Sequence, residues 1–343
     1  RVRESVPAIW AATQAAQARL ARCDAGNPVE LEAMASHAAA DVIFRTLFSL
    51  PIEHRDARAV FEAFRRYQRA QPLVNLAAFL PLPRWVPRGH GRRMRAAAAE
   101  IRGLIARLVL ARQAEIDAGT APEDLATKIM TTRDPVTGDL FTPAETVDQV
   151  AIFFLAGHET SASTLAWALW LLAADPEVQH RVAAEARSVL GDAVPDMAAV
   201  SRLTVARQVF REALRLYPPV PMMVREATKP ERFRDRAVPV GSQIVVSPWH
   251  LHRHQRQWEA PDAFDPDRWG TGRSCPREAY LPFSTGRRVC PGAGFAMAEG
   301  VLLLAGLMRD LEVGVVPGRR PVPVAHLTVR ARDGIWVTVR PRA

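Results

Sequence analysis

The amino-acid sequence predicts a mainly α-helical protein with small β regions, organised around one long central helix. From residue 29 to about 316, most segments place apolar residues at helical spacing. One of these segments starts at Thr142 and meets no helix-stopping residue before Asp175. Alternating, strand-like segments such as IWVTV (335–339) are short. Long helices with a few short strands indicate a mainly α fold.

Three helices are predicted before the central one. ELEAMASHAAADVIFRTLF (30–48) has apolar residues at helical spacing, and a second helix covers roughly 54–70. The proline-rich segment QPLVNLAAFLPLPRWVP (71–87) follows that helix, and proline cannot continue a helical hydrogen-bond ladder. A third helix, at about 89–118, carries arginines on one face and apolar residues on the other, which is typical of a helix packed on a core.

The central helix has clear start and stop signals. Thr142 is its predicted N-cap, Pro143 its first residue and Glu145 its third, a pattern that forms a capping box. It ends at Asp175-Pro176, which gives about 32 residues and about 48 Å at ~1.5 Å per residue. Its middle, IFFLAGHETSASTLAWALWLLA, is apolar on nearly all sides. We therefore expect this helix to cross the interior of the protein.

The elements after the central helix are shorter. Helices are expected at about 176–190, 203–216 and 293–311. Short extended runs occur near 236–247, and a proline-punctuated loop covers 255–290.

The composition is that of a globular chain and excludes several classes of protein. Of the 343 residues, 48% are hydrophobic and 24% are charged, which excludes a disordered chain, a coiled coil and a disulfide scaffold. The net charge is +9, but the basic residues are dispersed, which disfavours nucleic acid as a partner. Cys23, Cys275 and Cys290 are too scattered for a zinc site. Because no uninterrupted apolar run reaches membrane-spanning length, we expect a cytoplasmic protein, although a membrane anchor before Arg1 stays open.

The segment PFSTGRRVCPGAG (282–294) is the most informative part of the chain. Cys290 lies directly before a predicted helix, where backbone N–H groups and the positive end of the helix dipole stabilise a thiolate. Gly286 and Gly292 allow the backbone to approach a flat ligand closely. Arg288 is near enough to offer a cation to an anionic group of that ligand.

Phe283, Gly286, Arg288, Cys290 and Gly292 form the pattern F-x-x-G-x-R-x-C-x-G. The pattern resembles the cysteine-ligand loop of the cytochrome P450 family, the haem-thiolate monooxygenases. The resemblance implies that Cys290 is the metal ligand to the iron of haem b and that the other four residues bind the cofactor. It also implies the family's helical fold around a buried haem.

Two further motifs occur in the order expected for that family. Glu212 and Arg215 form an E-x-x-R motif on one helix face, where the two charges can pair. The segment Phe264–Trp269 resembles the family's F-x-P-x-R-[FW] segment. The resemblance implies that its arginine, Arg268, completes a buried structural cluster with Glu212 and Arg215.

The central helix carries the motif Ala156-Gly157-His158-Glu159-Thr160, which matches the family's [AG]-G-x-[DE]-T. The resemblance implies that Glu159 and Thr160 are catalytic and pass protons during dioxygen chemistry. Gly157 is expected to leave room for a small ligand, and Ala156 and Gly157 are expected at the cofactor. His158 is expected to line the pocket or to lie at the surface. The alternative is that Glu159 faces solvent and Thr160 bonds to the carbonyl four residues earlier.

The turn PPVPMMVRE (218–226) follows the E-x-x-R helix. The resemblance places its apolar side chains, including Val220, Pro221 and Met222, in the substrate pocket, together with Phe153 and Ala156 of the central helix. It assigns Arg225 to a haem propionate.

The sequence as a whole is therefore interpreted as one haem-thiolate domain (1–343) of bacterial type. It lacks the N-terminal part, about a hundred residues, that is usual in the family. The expected reaction inserts one oxygen atom from dioxygen into a lipophilic substrate. Electrons would come from a ferredoxin or flavodoxin-like donor with its NAD(P)H reductase.

Three alternatives stay open at this point. A haem-thiolate peroxygenase or isomerase would need no redox partner, but such relatives commonly lose the acid–alcohol pair that Glu159 and Thr160 form here. A basic nucleic-acid-binding protein is a distant alternative, and the dispersed arginines argue against it. A cysteine hydrolase built on Cys290 would need a poised histidine, which no motif supplies.

Overall fold

The computed structural model describes residues 2–23, 26–69, 91–191, 193–270 and 276–342. The proline-rich segment 71–87 and Cys275 lie outside the described residues. The helices of the described part are α1 (Val2–Leu20), α2 (Leu31–Phe48), α3 (Arg55–Arg69), α4 (Arg92–Asp117), α5 (Leu125–Thr131), α6 (Pro143–Ala174), α7 (Pro176–Val189), α8 (Met197–Arg202), α9 (Thr204–Leu216), α10 (Pro248–Leu251) and α11 (Ala293–Asp310).

The β structure of the described residues is small and antiparallel. Its strands are β1 (Pro28–Glu30), β2 (Met223–Glu226), β3 (Glu231–Phe233), β4 (Arg236–Val238), β5 (Gln243–Val246), β6 (Leu311–Val315), β7 (Pro323–Ala325), β8 (Val329–Ala331) and β9 (Trp336–Pro341). β9 lies between β1 and β6 in a three-stranded sheet, and β2–β5, β3–β4 and β7–β8 form two-stranded sheets. The prediction of a mainly α fold with small β regions is confirmed.

The central helix of the prediction is α6, and its start follows the predicted capping box. The Thr142 side chain accepts from the Glu145 backbone N–H, and the Glu145 side chain accepts from the Thr142 N–H. The helix runs for 32 residues, and its second half is buried. It packs against α2, α4, α9 and α11. The expectation that this helix crosses the interior is therefore confirmed.

One long helix of the structure was not predicted. α1 contains a proline, Pro7, which usually interrupts a helix, and many alanines, which do not distinguish a buried face from an exposed one. Its buried residues, among them Ile9 and Trp10, pack on α2 and α11. Tertiary packing, more than local pattern, stabilises this helix.

Two apolar clusters meet at α6. The larger one joins α1, α7, α9 and α11 to the second half of α6. The smaller one joins α3 and α4 to its first half, and both include parts of α2. Phe295, near the start of α11, packs against both clusters. Within the described ranges, no helix combines the length and the apolar character that crossing a membrane requires.

Candidate functional site

A tight loop presents Cys290 just before α11. The Cys290 N–H donates to the Phe283 carbonyl at 2.8 Å, which closes the loop, while Phe283 packs on the larger core. Gly286 has φ of +68°, a left-handed conformation that a residue with a Cβ adopts only at a cost. Cys290 is a free, exposed cysteine. The local sequence thus folds into a closed turn that leaves Cys290 exposed.

The sulfur of Cys290 lies beside the start of α11. A Cβ placed on Gly292 would be 3.8 Å from the Cys290 Sγ. Gly292 is the N-cap of α11, and no side chain caps this end of the helix. The N-terminal amides and the positive end of the helix dipole therefore lie next to the thiol.

Two arginines belong to the same region. Arg225, on β2, donates from Nη2 to the Ser284 hydroxyl of the cysteine loop at 2.9 Å. This bond holds the guanidinium against the loop. Arg288 lies in the short 3₁₀ turn Gly286–Arg288 of the loop and is exposed. Two cations therefore accompany the thiol, as an anionic ligand would require.

The middle of α6 has one open, mostly apolar side. This open stripe consists of Ile152, Phe153, Ala156 and Thr160, which recur at helical spacing. Ile152 and Phe153 are exposed, although Val150 and Phe154 beside them are buried. The predictions named Phe153 and Ala156, whereas Ile152 was missed because an apolar residue inside an apolar helix gives no distinguishing signal.

Glu159 and Thr160 are neighbours in sequence but point to different sides of α6. The Thr160 hydroxyl donates to the Ala156 carbonyl at 2.7 Å. Glu159 is buried, and its Oε1 accepts from the Thr328 hydroxyl at 3.0 Å. The alternative interpretation predicted a bond from Thr160 to the carbonyl four residues earlier, and this part is correct. It also predicted that Glu159 faces solvent, which is wrong because this carboxyl is buried.

Gly157 serves the packing of two helices. A Cβ on Gly157 would lie 2.6 Å from Cδ1 of Ile43, so the missing side chain lets α2 approach α6 closely. The expectation that Gly157 leaves room for a small ligand is wrong on this side of α6, because Ile43 fills the space. The sequence could not show this, since the helix that faces Gly157 lies more than a hundred residues earlier.

His158 is a core residue. Its ring stacks on Phe154 with centroids 5.4 Å apart, and Nε2 lies 2.9 Å from the Ser36 hydroxyl. Burial lowers the pKa of His158 to about 3, so the ring is neutral. The expectation of a pocket-lining or surface histidine is therefore wrong.

The turn after α9 is linked to α6 through strand β8. Val220 and Met222 are exposed, whereas Pro221 is partly buried and its carbonyl accepts from the Ser247 hydroxyl at 3.1 Å. The Pro219 carbonyl accepts from the Val329 N–H of β8 at 3.0 Å. Because the Val329 carbonyl accepts in turn from Ser163 of α6, the turn and α6 are tied to the same strand.

Glu212, Arg215 and Arg268 lie together in one buried cluster. Arg215 donates from Nε and Nη2 to the two carboxylate oxygens of Glu212, at 2.9 and 2.8 Å, and Arg268 Nε donates to Oε1 at 3.0 Å. The Trp269 indole N–H and the Asp265 backbone N–H complete the carboxylate's partners. The remaining Arg215 protons go to backbone carbonyls, including that of Ala263. Asp265 Oδ2 lies 3.9 Å from Arg268 Nη2, so two carboxylates accompany the two guanidinium groups, as buried charges require.

His252 extends this cluster to the cysteine loop and was not predicted. Its Nδ1 lies 3.1 Å from the Arg215 carbonyl, and its Nε2 accepts from the Leu281 N–H at 2.9 Å. Burial lowers the pKa of His252 to about 4, so the neutral ring bridges the two segments. No motif marks this histidine, and only the fold brings its partners together.

The comparisons with known proteins agree with this geometry. The chain is 36% identical over 266 residues to cyclooctatin synthase of Streptomyces melanosporofaciens, an alignment that covers 76% of this chain and 56% of that protein. It is 28% identical over 325 residues to cytokinin hydroxylase of Arabidopsis thaliana, which covers 93% of this chain and 63% of that protein. The chain thus spans about half the length of the curated relatives it matches. Since one of these two is bacterial and the other is from a plant, the bacterial type stays a prediction.

Solved structures and a family model give the same assignment. The crystal structure of the cytochrome P450DA heme domain superposes with a TM-score of 0.83, at 26% identity, over 100% of this chain and 73% of that chain. The model of the family described as Cytochrome P450 matches residues 6–338. The resemblance inferred from the cysteine loop is confirmed: the chain belongs to the cytochrome P450 family.

Proposed function

We propose that residues 1–343 form one haem-thiolate domain of a monooxygenase, which inserts one oxygen atom from dioxygen into a lipophilic substrate. The observation that carries the proposal is the exposed Cys290 thiol at the start of α11, with Arg225 held on the same loop. A hydrolase would need a histidine that activates this thiol. No histidine forms a described hydrogen bond with Cys290, which leaves metal ligation as the better-supported role.

The residues present fit haem b, the cofactor that the family implies. Cys290 would be the iron ligand, and Arg225 and Arg288 would bind the anionic edge of the cofactor. Phe283, Gly286 and Gly292 shape the loop that would hold it, and Ala156 would contact it from the open stripe of α6. When bound, haem with a thiolate ligand supplies the activation of dioxygen for oxidation of a C–H bond.

The acid and the alcohol on α6 have separate tasks in this proposal. The Thr160 hydroxyl donates its hydrogen bond to the Ala156 carbonyl, so its lone pairs are available to accept a hydrogen bond from a group on the open stripe. Glu159, buried behind it, holds or releases a proton in a site closed to bulk water. A peroxide-driven enzyme needs no such pair, so the presence of both residues favours the dioxygen reaction over the peroxygenase alternative.

The proposed substrate is lipophilic because the candidate pocket residues are apolar. Phe153, Val220 and Met222 are large, exposed hydrophobic side chains. Polar substrates would leave them without favourable contacts, whereas an apolar molecule would remove their surface from water. The two relatives described above, a synthase and a hydroxylase, are consistent with oxidation of an organic compound.

The proposed electron donor is an acidic ferredoxin or flavodoxin-like protein with its NAD(P)H reductase. Arg287 and Arg288 are exposed on the cysteine loop, close to where electrons would have to enter. Opposite charges on a donor would speed the encounter between the two proteins.

The experiment identifies the source of the oxygen atom in the product. The haem-loaded protein is supplied with isotopically labelled dioxygen, a ferredoxin, its reductase and a panel of lipophilic compounds. We expect one labelled oxygen atom per product, formed only with the redox partner present. Equal product from hydrogen peroxide alone, with oxygen derived from the peroxide, would instead support the peroxygenase alternative.

A further inference from the structure

The β7–β8 hairpin reaches into the core at Glu159. Thr328, in the turn between the two strands, is buried, and its hydroxyl donates to Oε1 of Glu159 at 3.0 Å. The two residues are 169 positions apart. A buried carboxyl therefore takes its one described hydrogen bond from a hydroxyl on a hairpin.

The hairpin is fixed on both sides, so Thr328 is held in place. The Val329 carbonyl accepts from the Ser163 hydroxyl at 2.6 Å, and the Val329 N–H donates to the Pro219 carbonyl. The Ala331 N–H donates to Oε1 of Glu32 at 2.9 Å. These bonds tie the strand to α6, to the turn after α9 and to α2. The position of the Thr328 hydroxyl is thus set by three separate parts of the fold.

The charged groups around Glu159 come from three elements. Arg330 of β8 places Nε 3.8 Å from Oε1 of Glu159. Glu32 of α2 also faces Arg330, and burial raises the pKa of this glutamate. His326 lies in the turn, and desolvation together with the nearby Arg330 lowers its pKa. Among the described residues, Arg330 is therefore the cation that lies near both Glu159 and Glu32.

The second oxygen of Glu159 is in a different situation. Oε2 is buried and has no hydrogen-bond partner among the described residues. Leaving a buried carboxylate oxygen without a partner costs free energy, so such an atom needs an explanation, and a role in catalysis is one. Thr328 therefore holds Oε1, whereas Oε2 is available to form a hydrogen bond with another group.

We propose that Thr328 and Arg330 are positioning residues for Glu159: the hydroxyl fixes Oε1, the guanidinium balances its charge, and Oε2 stays free to take up and release a proton. This inference rests on the proposed function, in which Glu159 handles protons. It assigns to the C-terminal hairpin a task in the reaction that no residue motif of the sequence indicates.

The first experiment compares Thr328→Val with Thr328→Ser in the haem-loaded protein. Valine keeps the shape of threonine but has no hydroxyl, whereas serine keeps the hydroxyl. Because hydrogen bonds to charged groups are worth more than neutral ones, we expect the ratio of product formed to reductant consumed to fall roughly tenfold in Thr328→Val. We expect Thr328→Ser to restore most of it, and neither variant to change the affinity for substrate.

Ser163→Ala is the matched control. It removes a hydrogen bond to the same strand, at Val329, without touching Glu159. We expect it to keep the wild-type ratio. A Thr328→Val variant with the wild-type ratio would overturn the proposal, and so would an equal loss in Ser163→Ala, since the effect would then come from a loosened strand.

A second measurement needs no cofactor. Hydrogen–deuterium exchange at the Val329 and Ala331 amides reports on the hairpin in the full chain. We expect Thr328→Val and Glu159→Ala each to speed this exchange about tenfold and the double variant to add little, because both changes remove the same bond. Additive effects would overturn the coupling. If the proposed function alone were wrong, this coupling would persist while the wild type made no labelled product.

Discussion

At the scale of single residues, Thr160 offers the sharpest functional test. Its hydroxyl donates to Ala156 within the open stripe of α6 and so presents its lone pairs to whatever binds there. In Thr160→Ala, we expect haem incorporation and the substrate-induced spectral shift to be unchanged. Product formation should fall by a factor on the order of 10² or more, since proton relays contribute this much to rates.

The measurement is the ratio of product formed to reductant consumed, with hydrogen peroxide assayed in parallel. We expect the lost product to be replaced by peroxide. Thr160→Ser, which keeps the hydroxyl, is the control and should stay close to wild type. An unchanged ratio in Thr160→Ala would mean that Thr160 is only a helix residue beside the pocket.

Gly157 gives a second prediction at the same scale, and this one concerns stability. Because a Cβ there would lie 2.6 Å from Cδ1 of Ile43, Gly157→Ala requires the Ile43 side chain to leave its packed position or α2 to shift. We expect the free energy of unfolding to fall by about 1–3 kcal/mol, the usual cost of overpacking a core. Ile43→Val removes the clashing Cδ1 atom.

The double variant Gly157→Ala with Ile43→Val should therefore be less destabilised than the sum of the two single variants. Chemical denaturation of all four proteins measures this. Strictly additive losses would show that the contact between Gly157 and Ile43 does not limit the approach of the two helices.

At the scale of elements, the Glu212 cluster links α9 to the segment that precedes the cysteine loop. Glu212→Ala leaves the guanidinium groups of Arg215 and Arg268 buried without their carboxylate. We expect this change to lower the free energy of unfolding by about 3–5 kcal/mol and to yield protein that binds little haem.

Asp267→Asn is the matched control for the cluster. Asp267 lies beside Arg268 but pairs with Arg181 on the surface, and such exposed pairs contribute at most about 1 kcal/mol. Thermal unfolding and haem content are measured for both variants, and we expect only Glu212→Ala to differ clearly from the wild type. Wild-type melting and haem content in Glu212→Ala would contradict the structural role of the cluster.

Glu299 couples α11 to α6 and predicts a pH dependence. It is fully buried, and its Oε2 accepts from the Ser161 hydroxyl at 2.6 Å. Burial raises the pKa of Glu299 from 4.5 to about 8, so the folded protein holds this proton at neutral pH and the unfolded chain releases it. Between pH 4.5 and about pH 8, the free energy of unfolding therefore falls as pH rises. The fall is up to about 1.4 kcal/mol per pH unit.

Glu299→Gln removes the titration and keeps an oxygen that accepts from Ser161. We expect the free energy of unfolding of the variant, relative to that of the wild type, to increase steadily as pH rises from about 5 to 8. Denaturant unfolding at several pH values measures it. A difference that does not change with pH would show that Glu299 is charged in the folded protein.

At the scale of the whole molecule, local signals in the sequence predicted the central helix and the cysteine loop, but not the contacts between distant parts of the chain. α6 was predicted to the residue because its capping box and the Asp175-Pro176 stop are local. The cysteine loop was recognised because its motif residues lie within a single short segment. The role of Gly157, the bridge formed by His252 and the bond from Thr328 to Glu159 depend on partners far along the chain, and no local pattern encodes such pairs.

The central claim about the molecule is that Cys290 supplies a thiolate ligand to haem iron, and one spectrum tests it. The absorption of the haem-loaded, reduced and CO-treated protein is recorded for the wild type, Cys290→Ser and Cys23→Ser. Cys23 is also a free, exposed cysteine and serves as the control. We expect the thiolate-type Soret shift in the wild type and in Cys23→Ser, and its loss in Cys290→Ser. A Cys290→Ser protein with the wild-type spectrum would contradict the account.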